Sequence, residues 1–332
     1  MSDLDFPSNE IVRRLVARLK MRHLQLIVQV HRLGSLTRVA EQMATSQPAV
    51  TNTLSELETM FGTPLFTRTA RGMTTTDMGR VVISRAQAML QDLGHLVQDM
   101  EASSVGLVAR LHVGATPFVS GRLITDAVSS IQNGSQPLAV RIHDGTSEHL
   151  LKALRDHELD VVIARANPTL DLQGLVFEPL YYQQARLISS RQLAAQLGRV
   201  PLSWPQLAEL DWVLGEPHTA LREQVARLFI QAGISPPVPI TESYSAKLIG
   251  EIIASSERAV SLLPADIAAE LVHIAGVAIV PYTIEWNLPP VAAMIRNDVG
   301  ESESHRRFLA AVRLASERLQ RKAVQPGRQA MF

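Results

Sequence analysis

Apolar residues recur along this chain with two different periods, and the change of period divides it. From residue 10 to about residue 104 the period is helical. Helices are predicted at 10–19 and 21–33, the second with Leu24, Ile27 and Val28 turned inward and closed by Gly34-Ser35. Val39, Ala40 and Met43 line one face of a short third helix. After a tight turn at Ala44-Thr45, Val50, Leu54 and Leu57 line one face of another, at the i, i+4, i+7 spacing of a helix on a core. Pro48 falls in the first turn of that helix, where its missing N–H costs nothing, and Gly62 stops it. Two short strands are expected at 64–66 and 72–75, with Arg68 and Arg71 near the tip of the hairpin. Thr76 is then a candidate N-cap, and Asp77 suits the first turn of a long helix running to about residue 103. Val82, Ala86, Met89, Leu93, Leu96 and Met100 step along it alternately by four and three residues. That is an a/d seam, which predicts a helix paired with a second copy of itself.

Beyond a small-residue linker at 103–109 the pattern becomes short and alternating. Strands are predicted at 111–115, 140–143, 161–164, 186–189, 212–214, 259–263, 278–280 and 291–295, and helices at 120–131, 147–157, 220–232, 245–255, 265–271 and 304–319. Alternation at this spacing predicts α/β architecture, with βαβ units and parallel sheets covered by helices. No strong Pro/Gly linker interrupts the stretch, so it reads as one large domain or as two lobes. Residues 1–9 and 323–332 read as loose ends.

Charge adds what periodicity cannot. The 332 residues are neutral overall, yet 13–80 hold ten Lys and Arg against four acids, an excess of six that the rest of the chain balances. A basic module on a mildly acidic body fits phosphate-backbone binding by one domain. The fourth helix turns Gln47, Thr51, Asn52 and Ser55 outward, short uncharged hydrogen-bonding groups of the kind that read base edges in a major groove. There is no cysteine, which excludes disulfides, a thiolate nucleophile and Cys-ligated metal. The N-terminus has no apolar signal-peptide core and no apolar run approaches the ~18–20 residues of a membrane span, so a cytoplasmic protein is expected.

The run Ser46-Gln47-Pro48-Ala49-Val50-Thr51, followed by Phe61-Gly-Thr-Pro-Leu-Phe-Thr-Arg-Thr-Ala-Arg-Gly72, resembles the winged helix-turn-helix of LysR-type transcriptional regulators. The resemblance is specific over about 21–80 and weaker to about 320. It implies a winged helix-turn-helix over 1–75, a dimerising linker helix over 76–105, and a two-lobed effector domain with the fold of periplasmic binding proteins over 106–322. Lobe I would comprise about 106–181 and 283–322, and lobe II about 182–282. Ser46, Gln47, Pro48, Thr51 and Asn52 are carried over as the groove-facing start of the recognition helix, and Arg68 and Arg71 as wing contacts to phosphate or the minor groove. Asn52 departs from the family's usual Arg or Lys; Asn suits adenine where Arg reads guanine.

In the second half the resemblance implies an effector pocket between the lobes. Thr116, Pro117, Phe118 and Val119 lie between a strand and a helix N-terminus that offers N–H groups to an anion. Thr146 opens the next helix, and Arg165 follows the strand 161–164 at its carboxyl end, where open α/β sheets place ligands. Pro217, His218 and Thr219 are the opposing lobe's contribution. Arg165 has no acid partner in the neighbouring sequence and is expected to hold a carboxylate. Phe118 stands where the family has a small Ser or Thr, which points to an apolar or ring-bearing ligand. Within the family the chain looks closest to regulators of sugar or aromatic-acid catabolism.

Sequence-visible catalytic motifs are absent: no Gly-x-Gly-x-x-Gly, phosphate loop, Gly-x-Ser-x-Gly elbow or His-Glu-x-x-His occurs. His143, Asp144, Glu148 and His149 form the densest polar cluster but match no metal-ligand template. The reading is a non-enzymatic regulator without cofactor or metal. Its expected partners are operator DNA, a small organic acid, aromatic acid or sugar, itself as homodimer or homotetramer, and RNA polymerase. The alternatives are a solute-binding protein of transport and an α/β enzyme fused to a DNA-binding domain.

Overall fold

The structure, a computed structural model, describes residues 8–70, 72–104, 109–134, 137–165, 172–297 and 303–324. Most of the expected loose ends, the middle of the 103–109 linker and the wing residue Arg71 lie outside the described residues. The chain divides into two compact units between residues 101 and 102.

In the first unit α1 (Ser8–Arg18), α2 (Met21–Leu33), α3 (Leu36–Gln42) and α4 (Gln47–Phe61) precede a hairpin of β1 (Phe66–Thr69) and β2 (Gly72–Thr75), and α5 (Asp77–Ser104) follows. Local chemistry sets the boundaries. Gly34 and Gly62 end α2 and α4 in the left-handed conformation, at φ of +63° and +74°. The Ser35 hydroxyl accepts from Arg38 N, and that of Ser46 from Ala49 N, capping α3 and α4. Ile27, Val30, Val39, Val50, Leu54 and Leu57 form the core with Leu65 and Phe66.

The first wing strand starts later than its apolar pattern predicts. Glu58 of α4 accepts hydrogen bonds from Leu65 N at 2.7 Å and Phe66 N at 3.1 Å. That contact commits the 64–65 segment to the helix, so pairing begins at Phe66 opposite Thr75. Arg68 stands within β1, opposite Met73 and one pair from the turn. Glycine is required at position 72. Its φ is +119°, and a Cβ there would fall 2.3 Å from the Gly34 carbonyl oxygen.

The predicted seam on α5 divides in two. Ala86 is 2% exposed, enclosed with Ile83 in the core of its own unit, and Val82 packs against that core. These two positions are thus corrected: they serve the chain's own packing. From Met89 on, the seam residues Leu93, Leu96 and Met100 are exposed.

In the second unit the order is β3 (Arg110–Ala115), α6 (Gly121–Gln132), β4 (Ala139–Asp144), α7 (Ser147–Arg155), β5 (Val161–Arg165), β6 (Leu175–Tyr181), β7 (Ala185–Ser189), α8 (Arg191–Leu197), α9 (Trp204–Ala208), β8 (Asp211–Leu214), α10 (Ala220–Gln231), β9 (Thr241–Glu242), α11 (Ala246–Ser255), β10 (Ala259–Pro264), α12 (Ala265–Ile274), β11 (Ala278–Ile279), β12 (Val291–Arg296) and α13 (Glu303–Val324). One sheet has the order β4-β3-β5-β12-β6, the other β11-β7-β10-β8-β9. They define two lobes, joined by the chain after Tyr181 and by its return before Val291.

The sheets are mixed where the alternating pattern predicts parallel ones. β12 runs antiparallel to β5 and β6, and β7 antiparallel to β10 and β11. The reason is connectivity: β6 and β7 leave and enter the lobes directly, with no helical crossover to turn the chain back. Lobe I buries Leu111, Val113 and Ile163 against Leu123 of α6 and Phe308 and Val312 of α13. Lobe II stacks Trp212 edge-on to Phe229 at 5.3 Å between ring centroids, and the Trp212 indole N–H donates to Leu207 O at 2.7 Å.

Candidate functional site

The first unit presents the start of α4 to solvent. Ser46, Gln47, Pro48 and Asn52 are exposed, while Val50 and Leu54 on the opposite face are buried. Gln47 and Thr51 hold each other: Gln47 Nε2 donates to Thr51 Oγ1 at 3.0 Å, and the Thr51 hydroxyl bonds back to Gln47 O at 3.0 Å. That pairing holds the two side chains to each other at the start of the helix. Ser46 is spent as the helix cap. A groove of about 380 Å³ runs between the N-terminus of α3 and the wing, with Arg38, Gln47 and Arg68 on its wall. The sequence did not single out Arg38. Its only signal is its place in the first turn of the helix preceding α4, within reach of the same groove.

The second unit holds a cavity of about 670 Å³ between its lobes. Lobe I contributes Thr116, Phe118, Val119, Thr146 and Arg165, and lobe II contributes Pro217, His218 and Thr219. Pro117 is outside this wall, in the turn before α6. Thr146 and Thr219 cap α7 and α10, accepting from His149 N and Arg222 N. His218 is held at φ +64°, a left-handed conformation uncommon for a residue with a Cβ. The apolar pattern did not mark Glu148, Arg155, Glu216, Glu223 or Tyr244, which also line the cavity. Glu148 and Glu223 are legible afterwards as acids in the first turns of α7 and α10.

Two residues of the cavity wall, Arg165 and Phe118, also have partners outside it. Arg165 is 6% exposed and has partners that the neighbouring sequence does not show. Its Nη1 donates to Pro289 O at 2.8 Å and its Nη2 to Gln183 Oε1. Burial pulls its pKa down to about 10, and the Asp266 carboxylate nearby works against that fall. Phe118, 6% exposed, buries its ring in a lobe II cluster with Val213, Leu221 and Ile249. Its size serves contact between the lobes.

Behind the cavity the lobes are tied by a buried polar network. Gln183 Nε2 donates to Asp266 Oδ1 and Oδ2, both at 2.8 Å, and to Phe118 O at 3.1 Å. The Tyr181 hydroxyl accepts from Ser120 N at 3.1 Å and donates to Asp266 at 3.3 Å. Burial raises the pKa of Asp266, and its hydrogen bonds from Gln183 work against that rise. On another side Tyr244 of lobe II donates to Gly145 O of lobe I at 3.2 Å. Burial, with the charge of Glu216, pushes the Tyr244 hydroxyl up to about 12, so it remains a donor at neutral pH. Elsewhere His143 faces His112 at 3.0 Å; among the described residues no group of His, Asp and Glu is placed to hold a metal.

With both sites described, comparison with known proteins assigns each unit. Residues 21–80 match the model of the bacterial regulatory helix-turn-helix protein, lysR family, and residues 105–316 match that of the LysR substrate binding domain. The HTH-type transcriptional regulator GbpR of Azospirillum brasilense is 27% identical, over 96% of this chain and 92% of that protein. The HTH-type transcriptional regulator PcaQ of Agrobacterium fabrum is 29% identical, over 91% of this chain and 96% of that protein. Among solved structures, full-length LysG from Corynebacterium glutamicum with bound effector Arg superposes with a TM-score of 0.58 at 19% identity, covering 90% of this chain and 99% of that one.

Proposed function

The chain belongs to the LysR family, a DNA-binding transcriptional regulator with an effector-binding domain, and from that premise we propose that it controls a catabolic operon in response to a small organic acid, aromatic acid or sugar. The observation that carries this reading is the cavity of about 670 Å³ walled by both lobes, within the size range of small-molecule sites. A ligand touching both lobes binds one lobe arrangement better than another, and that difference is what shifts a population. Gln47, Thr51 and Asn52 read base edges, and Arg68, with Arg71, contacts phosphate or the minor groove. The exposed stretch Met89, Leu93, Leu96 and Met100 of α5 pairs two chains, placing two α4 helices on two half-sites. Homodimers, and tetramers built from them, are the assemblies this supports, with RNA polymerase as the contact altered at the promoter. Acting on DNA, the protein works in the cytoplasm, and its role is regulation rather than catalysis.

The test is footprinting of the full-length protein on the intergenic DNA beside its own gene, with and without metabolites of the adjacent operon. A protected palindrome whose edges move on adding one metabolite is expected. Protection that no metabolite of that operon alters overturns the catabolic assignment.

A further inference from the structure

Resting on the reading of the interlobe cavity as the effector site, we propose that the effector is a neutral polyhydroxylated molecule of sugar type and not an organic acid. An anion needs positive charge or free N–H groups, and the lining sets two arginines, Arg155 and the buried Arg165, against three glutamates, Glu148, Glu216 and Glu223. Arg165 gives one guanidinium nitrogen to Pro289 O and another to Gln183. The α6 N-terminus gives Ser120 N to Tyr181, which passes a hydrogen bond on to Asp266, and the Glu270 carboxylate lies 3.7 Å from where a Cβ at Gly121 would be. The helices α7 and α10 carry their own acids in the first turn, Glu148 and Glu223, where they answer the helix dipole.

The wall left for a ligand is rich in acceptors. Glu148, Glu216 and Glu223 present carboxylate oxygens to it. Such groups accept hydrogen bonds from hydroxyls and repel a carboxylate. The wall does not demand a full cation either: Glu223 is paired with Arg227 at 3.6 Å, and Arg155 stands among the lining side chains. Val119, Leu151 and Val291 supply apolar surface for the C–H face of a sugar ring. Phe118, the residue that pointed to a ring-bearing ligand, has its ring committed to lobe II.

Calorimetry and thermal shift on the full-length protein test this with matched probes: neutral pentoses and hexoses, the aldonate of each, the 2-amino-2-deoxy form of each hexose, and benzoate. At least one neutral sugar should bind about tenfold or more tightly than its aldonate, a difference of about 1.4 kcal/mol. In Glu148→Gln/Glu216→Gln, both exposed positions that the fold does not need, that sugar should bind about tenfold more weakly and the preference over the aldonate should shrink. Tighter binding of an aldonate, an amino sugar or benzoate than of every neutral sugar overturns the proposal, as does no neutral-sugar binding at about 10 mM. Thr146→Trp, which fills the cavity, separates the two levels. An anion that binds wild type and not this variant sinks the sugar and leaves the cavity as the effector site. A sugar that binds both equally sinks the cavity.

Discussion

Replacing Gln183 by Leu removes a side chain that, like Tyr181, bonds to both lobes behind the cavity. The substitution keeps approximate volume and buried position, so the loss is chiefly one of hydrogen bonds. Two of these involve ionic partners, Arg165 and Asp266, and a third goes to Phe118 O. Hydrogen bonds to charged groups contribute roughly 1.5–3 kcal/mol each and neutral ones about 1. Their sum is an upper bound, because all three share one amide and Leu regains apolar burial. The larger effect is on what stays behind: Arg165 would keep Pro289 O, and Asp266 would keep the bond from Tyr181 at 3.3 Å and those from the backbone N–H groups of Asp266 and Ile267. Leaving a buried group without its hydrogen-bond partner costs about 1–3 kcal/mol, more where that group is charged, so about 2–4 kcal/mol is the expected destabilisation. Urea unfolding followed by tryptophan fluorescence reads it directly, since Trp204, Trp212 and Trp286 all lie in the segment between the two crossings of the lobes. Gln184→Leu, one residue along and exposed, is the control and should change stability by no more than about 0.5 kcal/mol. A loss below about 1 kcal/mol for Gln183→Leu would refute the claim that this network holds the lobes.

Three further outcomes are expected. Asn52→Ala should weaken binding at the specific operator by about 1–3 kcal/mol and relax preference at one base pair, with non-specific affinity retained; gel shifts against single-base operator variants measure it, and equal weakening on every sequence means Asn52 reads no base. Leu93→Asp should yield monomers by light scattering with the second unit still folded, whereas an oligomer of wild-type size removes the seam from the pairing surface. Asp266 has a folded pKa above its unfolded value, so its contribution is most favourable below pH ~4 and is lost as pH rises through the folded pKa. Stability of Asp266→Asn, measured by urea unfolding across that interval, should therefore fall less with rising pH than wild type; parallel curves would show that Asp266 titrates normally.

What the chain by itself determined is local. Helix ends follow from residues acting on their own backbone, such as Gly34 and Gly62 in the left-handed conformation and Ser35 and Ser46 as caps. The groove-facing positions of α4 follow likewise, because a 3.6-residue period fixes which side chains oppose Val50 and Leu54. Strand β6 escaped notice because its order of exposed and buried residues does not alternate cleanly, and α8 and α9 are too short for a helical period to declare itself. Lining positions of the cavity at Thr116, Thr146 and His218 were legible from their place at strand ends and helix starts. Only the tertiary structure decided what Arg165 and Phe118 do. Their partners, Gln183, Pro289 and the lobe II cluster, are remote in sequence and meet them only when the chain crosses between lobes twice. The same holds for Ala86, whose place in the heptad pattern is real but whose side chain its own core had already enclosed. Periodicity tells which face of an element is apolar; which neighbour covers that face, or which donor has already been used, depends on atoms that come together only in the folded chain.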